Sequence, residues 1–144
     1  MKKALAIMAT LFISLTACAD HEQTIVFSEL PAQAQSFVQQ HFNAADIAHI
    51  EKERDGLHYE FTVYLKNATK IDFDQSGNLE SIDCEIYPVP EGIIPAVIAN
   101  YLKQHYPNHF AVKYAIGRHT LEIELGNGME LIFDLDGKFL RMDD

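Results

Sequence analysis

The apolar positions of this chain follow two periods, and the pair of periods occurs twice. Over residues 31–42, Ala34, Phe37, Val38 and His41/Phe42 recur at three- and four-residue spacing, which puts one apolar stripe on a helix. Pro31 stands where a first-turn proline is tolerated. From residue 57 the period becomes two. Leu57, Tyr59, Phe61, Val63 and Leu65 alternate with His58, Glu60, Thr62, Tyr64 and Lys66, the pattern of a half-buried strand. Residues 47–53 before it, and 68–74 and 78–87 after it, supply three further strand candidates.

The same order returns from residue 94. Val97, Ile98, Tyr101, Leu102 and Tyr106 form the second helical stripe, which Pro107 ends. Leu121, Ile123 and Leu125 alternate with Glu122 and Glu124, flanked by strand candidates at 110–116, 129–135 and 138–142. Gly126-Asn127-Gly128 is a hairpin signal, with Lys66-Asn67-Ala68 as its weaker counterpart. Residues 71–83 reappear as 131–143, with Phe73/Phe133, Asp74/Asp134, Gly77/Gly137 and Asp83/Asp143 identical. That offset is sixty, whereas His41-Phe42 becomes His105-Tyr106 at sixty-four, so the first unit holds four extra residues, placed around 52–56. Leu79 to Ile82, and Phe139 to Met142, are three apart, which breaks alternation and predicts a bulge. The pattern therefore predicts an α+β fold of two tandem repeats, residues 30–86 and 87–144, forming one domain. Each is a helix followed by a four-stranded antiparallel meander, with both helices on one face of a continuous eight-stranded sheet. Residues 19–29 read as a tether.

The first residues stand outside this pattern. Met1-Lys2-Lys3, an apolar run over 4–15 and then Thr16-Ala17-Cys18 have the three regions of a secretory signal. The run is shorter than the roughly 20 residues that span a bilayer as a helix. Leu15-Thr16-Ala17-Cys18 also resembles a bacterial lipobox, with Cys18 as the acylated residue. Cleavage after Ala19 is the competing reading. Both export the protein, and only a lipid on Cys18 would hold it to a membrane.

Composition narrows the partners. Eleven basic against 21 acidic residues give a net charge of −10 in 144 residues, and loss of Lys2 and Lys3 with the leader takes it to −12. Such a balance argues against nucleic acid, which needs a basic face. Lipidation of Cys18 leaves Cys84 alone, so no internal disulfide is available.

Ile82-Asp83-Cys84-Glu85, Val89-Pro90-Glu91, Ile93-Ile94-Pro95, Tyr101, Tyr106-Pro107, Glu122-Ile123-Glu124-Leu125, Gly128-Met129-Glu130-Leu131-Ile132-Phe133-Asp134, Gly137-Lys138-Phe139-Leu140 and Asp143-Asp144, in that order and spacing, resemble the exported PepSY-like, β-lactamase-inhibitor-like proteins. The resemblance covers residues 30–144. It implies tandem helix-plus-four-strand units, an envelope location and a role in binding or inhibiting other proteins, with no enzymatic residues. The chain departs from the β-lactamase inhibitor itself in lacking the disulfides of its units, so the resemblance implies binding in general rather than that target.

Several constellations compete for a function. Asp72-x-Asp74-x-Ser76-Gly77, with Asp83 twelfth, reproduces the ligand spacing of an EF-hand calcium loop. Its flanks alternate like strands, its copy has Ile132 in first place, and a hairpin whose Asp and Ser side chains brace a Gly turn explains it better. His105 and His109 have helical spacing, but Pro107 between them prevents a shared metal, and His41 and His105 suit the carbonyl ends of helices. Cys84 beside Asp83 and Glu85 lies in an acidic setting that disfavours a thiolate. No G-x-S-x-G, glycine-rich phosphate loop or H-E-x-x-H is present. Glu122 and Glu124 suit solubility better than acid–base chemistry.

What remains is the sheet face away from the helices. Alternation puts His58, Glu60, Thr62, Tyr64 and Lys66 there from one unit, and Glu122, Glu124, Glu130 and Ile132 from the other. Tyr64 and Ile132 sit where a plain solvated face would be polar, which favours a protein or peptide contact. His58, Glu60, Tyr64, Glu122, Glu124 and Ile132 are the candidate binding residues. The expected function is an exported, lipid-anchored, non-catalytic binding or inhibitor-like module without a cofactor, in the periplasm or at the outer membrane. Its partner would be an envelope protein or peptide. A calcium-responsive envelope protein is the alternative, and a hydrolase the third reading.

Overall fold

The structure, a computed structural model, describes residues 21–143. Strand β1 (Gln23–Ile25) and a short 3-10 turn lead into helix α1 (Ala32–His41). Four strands follow: β2 (Ile47–Asp55), β3 (His58–Leu65), β4 (Lys70–Phe73) and β5 (Leu79–Asp83). Helix α2 (Ala96–His105) then precedes β6 (Ala111–Ile116), β7 (Thr120–Leu125), β8 (Glu130–Asp134) and β9 (Phe139–Asp143). All nine strands form one antiparallel sheet in sequence order. The leader and Cys18 lie outside the described residues.

The eight strands expected become nine because part of the expected tether joins the sheet. Gln23, Thr24 and Ile25 pair with Lys52, Glu51 and Ile50, and Ile25 is buried. An apolar residue at that point lets the segment cap an edge that would otherwise leave backbone groups unpaired.

The register carries one apolar row across the sheet. Ile25, Ile50, Val63, Ile71, Ile82, Tyr114, Ile123, Leu131 and Met142 are successive cross-strand partners. The first eight are buried, and Met142 on the outermost strand is 45% exposed. Both helices lie over this face. Phe37 of α1 meets Phe73 edge to face with ring centroids 5.5 Å apart, and Tyr101 of α2 meets Phe133 in the same way at 5.4 Å. Such aromatic pairs contribute about 0.5–1.5 kcal/mol beyond area burial.

Each helix is pinned at its start by the turn before the last strand of its unit. Gly77 and Gly137 both have φ +85°, and a Cβ on Gly77 would lie 2.8 Å from the Ala34 nitrogen and from the Pro31 Cβ. On Gly137 it would collide with the Val97 side chain. Side chains would strain both the backbone and the helix–sheet fit. The predicted bulges are present: register shifts where Phe73 pairs with Leu79 and Phe133 with Phe139, leaving Glu80 and Leu140 as the extra residues.

Two readings of the strands are corrected. The fourth strand ends at Asp83 rather than Tyr87, because Glu85 takes a left-handed φ of +57° and the Tyr87 N–H turns back to the Cys84 carbonyl. Leu57 and Tyr59 alternate as core residues but are exposed. The four extra residues lengthen the β2–β3 hairpin beyond the helices, and there the Lys52 ammonium sits 4.1 Å over the Tyr59 ring.

Candidate functional site

Among the described residues nothing covers the face opposite the helices, and its rows are as regular as those of the core. One runs Thr24, Glu51, Thr62, Asp72, Ser81, Ala115, Glu122, Ile132, Arg141 in register. The next runs His49, Tyr64, Lys70, Asp83, Lys113, Glu124, Glu130, Asp143. Tyr64, Glu122, Glu124 and Ile132 therefore do share this face. They do not form one compact patch, since Tyr64 on β3 and Glu124 on β7 are four strands apart, about 19 Å at ordinary strand spacing.

At one end the His49 ring stacks on Tyr64 with centroids 4.4 Å apart, and His49 Nε2 lies 3.0 Å from Glu51 Oε1. Burial, with Glu51, Asp72 and Glu22 around the hydroxyl, pushes the Tyr64 phenol up to about 12. It therefore remains a neutral donor far above physiological pH. Asp72 is held beside it, accepting from Thr62 Oγ1 at 2.8 Å and Ser81 Oγ at 2.7 Å, with Lys70 Nζ 3.4 Å away.

Toward the other end, small Ala115 leaves a shallow depression in the sheet surface. Glu122, Glu124, Glu130 and Lys113 surround it. Ile132 beside it corrects the sequence reading: it is on this face but only 3% exposed. Its register partners are Glu122 and Arg141, and long stems of that kind cover an apolar neighbour. His58 and Glu60 are exposed on the projecting hairpin, where His58 Nδ1 lies 3.1 Å from Gln75 Oε1. Glu60 with burial raises the Glu80 carboxyl above its ordinary range, burial being the larger cause.

The calcium-loop residues are dispersed by the strands. Asp74 accepts from the backbone N–H of Ser76 and Asn78 and from the Asn78 side chain, each at 2.9 Å. Burial alone would raise its carboxyl, but these hydrogen bonds outweigh it and hold the pKa below the usual value. Asp134 repeats the brace with Asp136 and Lys138. Asp72 faces outward on β4, while Asp83 on β5 accepts from the Glu85 N–H at 2.9 Å. Among the described residues no three His, Cys, Asp or Glu side chains converge as metal ligands do. His41 and His105 end their helices with rings against Phe37 and Tyr101, 4.8 and 4.2 Å between centroids. Cys84 is buried, which pushes its thiol up, with Thr69 hydrogen bonding opposing.

His49, Glu51, Lys70, Asp83 and Lys113 are face residues that the sequence reading left out. The two-residue period of His49, Glu51 and Glu53 was the available signal, weakened by the register shift between Ile47 and His49.

The family described as "Putative beta-lactamase-inhibitor-like, PepSY-like" matches residues 17–63 and again 59–141. The chain belongs to the PepSY-like family. Its solved relatives include a "putative calcium-regulated periplasmic protein" from Bacteroides thetaiotaomicron, 34% identical over 85% of this chain and 97% of that one, with a TM-score of 0.81. Two from Bacteroides vulgatus are both described as putative periplasmic proteins, one of them of unknown function. They are 29% and 31% identical, cover 88% and 86% of this chain and 99% and 100% of their own, and score 0.82 and 0.80. No curated protein matches this PepSY-like chain. Among the described residues no helix is long and apolar enough to cross a membrane.

Proposed function

We propose that this protein is an exported, non-catalytic binding module of the cell envelope, built from two copies of one helix-and-meander unit, that holds a protein or peptide partner on its open sheet face. The observation that carries this reading is the face itself. Among the described residues nothing covers this nine-stranded surface, which carries the His49–Tyr64 stack near one end and the acid-walled depression over Ala115 near the other. Ordered aromatics set in polar surroundings are what protein contacts use. The inhibitor-like family and relatives described as periplasmic support the role and the compartment. The test is affinity capture from envelope extract with wild-type protein and with Tyr64→Ala. A partner retained by the wild type and lost with a folded Tyr64→Ala supports the reading. Retention unchanged by Tyr64→Ala combined with Glu122→Ala and Glu124→Ala would move the contact off this face.

The second reading, calcium response, draws on the description of the Bacteroides thetaiotaomicron relative. Calorimetric titration with Ca²⁺ decides it. Saturable binding tighter than millimolar, the weak end for extracellular modules, and lost in Asp72→Ala, would replace the hairpin account of residues 72–83.

A further inference from the structure

The sheet ends in two edge strands, the three-residue β1 and the five-residue β9; among the described residues nothing pairs with the outer side of either, and the longer open edge is that of β9. The first unit shows what that edge is able to do. β5 holds in it the place that β9 holds in the second: Ser81, Ile82 and Asp83 correspond to Arg141, Met142 and Asp143. Both strands follow a glycine turn at φ +85° and both carry the same bulge. The outer edge of β5 takes an antiparallel neighbour through only three residue pairs, Ser81 with Ala115, Ile82 with Tyr114 and Asp83 with Lys113. An apolar residue thus faces the middle position, and a base faces the aspartate.

We propose that β9 pairs antiparallel with β9 of a second copy of this chain, across a twofold axis at Met142, joining two sheets into one. In that register Met142 faces its own counterpart, and Arg141 of each copy faces Asp143 of the other. The arrangement supplies what the β5 template uses, an apolar residue at the centre and a base opposite the aspartate. It also extends the apolar row, of which Met142 is the one exposed member. Charged edge strands ordinarily repel their own kind. Here Arg141 and Asp143 have opposite signs two residues apart and lie 3.2 Å from each other along the strand, so the edge is self-complementary under a twofold.

The experiment is sedimentation of the exported protein over a concentration series, with charge reversals. The wild type associates to a dimer. Arg141→Asp alone and Asp143→Arg alone each place like charges opposite one another and weaken association about tenfold or more. An equimolar mixture of these two variants recovers the dimer, as does the double exchange in one chain, and circular dichroism checks that all are folded. Opposed residues in an antiparallel pair have Cα atoms about 4.5–5.5 Å apart, within disulfide range. Met142→Cys therefore crosslinks to its counterpart under mild oxidation, while Leu140→Cys and the wild type with its buried Cys84 do not. A wild type that stays monomeric without such a crosslink overturns the proposal. So does a dimer indifferent to both reversals, a mixture that fails to recover association, or a monomer whose β9 takes an unrelated peptide instead.

Discussion

The imidazole of His49 lies flat on the phenol ring of Tyr64, with planes 12° from parallel. The register shift between Ile47 and His49 sets the two side by side across β2 and β3. Glu51, Asp72 and Glu22 crowd negative charge near the same hydroxyl, so ionising Tyr64 would add another anion to an acidic neighbourhood.

The stack makes an alkaline prediction. A phenol near 10 in the unfolded chain and about 12 in the folded one favours folding below pH 10, and that contribution is lost as pH rises from 10 to 12. Tyr64→Phe will lose stability less steeply over this window in denaturant melts. Tyr101 and Tyr114, also raised by burial, leave a residual slope. Identical slopes in the two proteins would show that Tyr64 ionises freely.

Gly77 and Gly128 separate backbone strain from packing. Both have φ +85°, but Gly128 has open space where a Cβ would go, and Gly77 has α1. Gly128→Ala will cost about 1–2 kcal/mol from left-handed strain alone. Gly77→Ala will cost about 1–3 kcal/mol more through overpacking against Pro31 and Ala34. Equal midpoint shifts in urea would mean that the turn does not press on the helix.

Phe133 and Ile132 are neighbours on opposite faces, and both are buried. Phe133→Ala will cost about 3–5 kcal/mol and Ile132→Ala about 2 kcal/mol or more. An exposed residue would stay within about 0.5 kcal/mol. A neutral Ile132→Ala would show that Glu122 and Arg141 do not shield it in solution.

The leader is tested by fractionating cells that express the full chain with Cys18→Ser. Release of a formerly membrane-bound protein will support lipidation. A wild type already soluble and beginning at Asp20 will support cleavage after Ala19.

Much of the architecture is local enough to be legible in the chain. Helix stripes, strand alternation and glycine turns depend on the period of side chains about one backbone, so Ala34/Val38, Phe61/Val63/Leu65 and Gly77/Gly137 mark their elements directly. The echo of residues 71–83 at 131–143 likewise predicts both bulges. The site is less legible because a face belongs to several strands at once. Tyr64 was visible as an aromatic out of phase. His49 was not, because a bulge shifts its phase relative to Ile47, and Ile132 reads as exposed until Glu122 and Arg141 are placed beside it.

The amino-acid sequence by itself determined the two helices, eight of the nine strands, their order and which side of β3 and β7 faces the core, because these follow from periodicity and chain continuity. Only the tertiary structure decided that Gln23–Ile25 joins the sheet beside β2, that β5 meets β6 through three residue pairs, and that β9, among the described residues, has no partner on its outer side. Those outcomes depend on which backbone groups find partners among residues distant in the chain, and side-chain period carries no record of that.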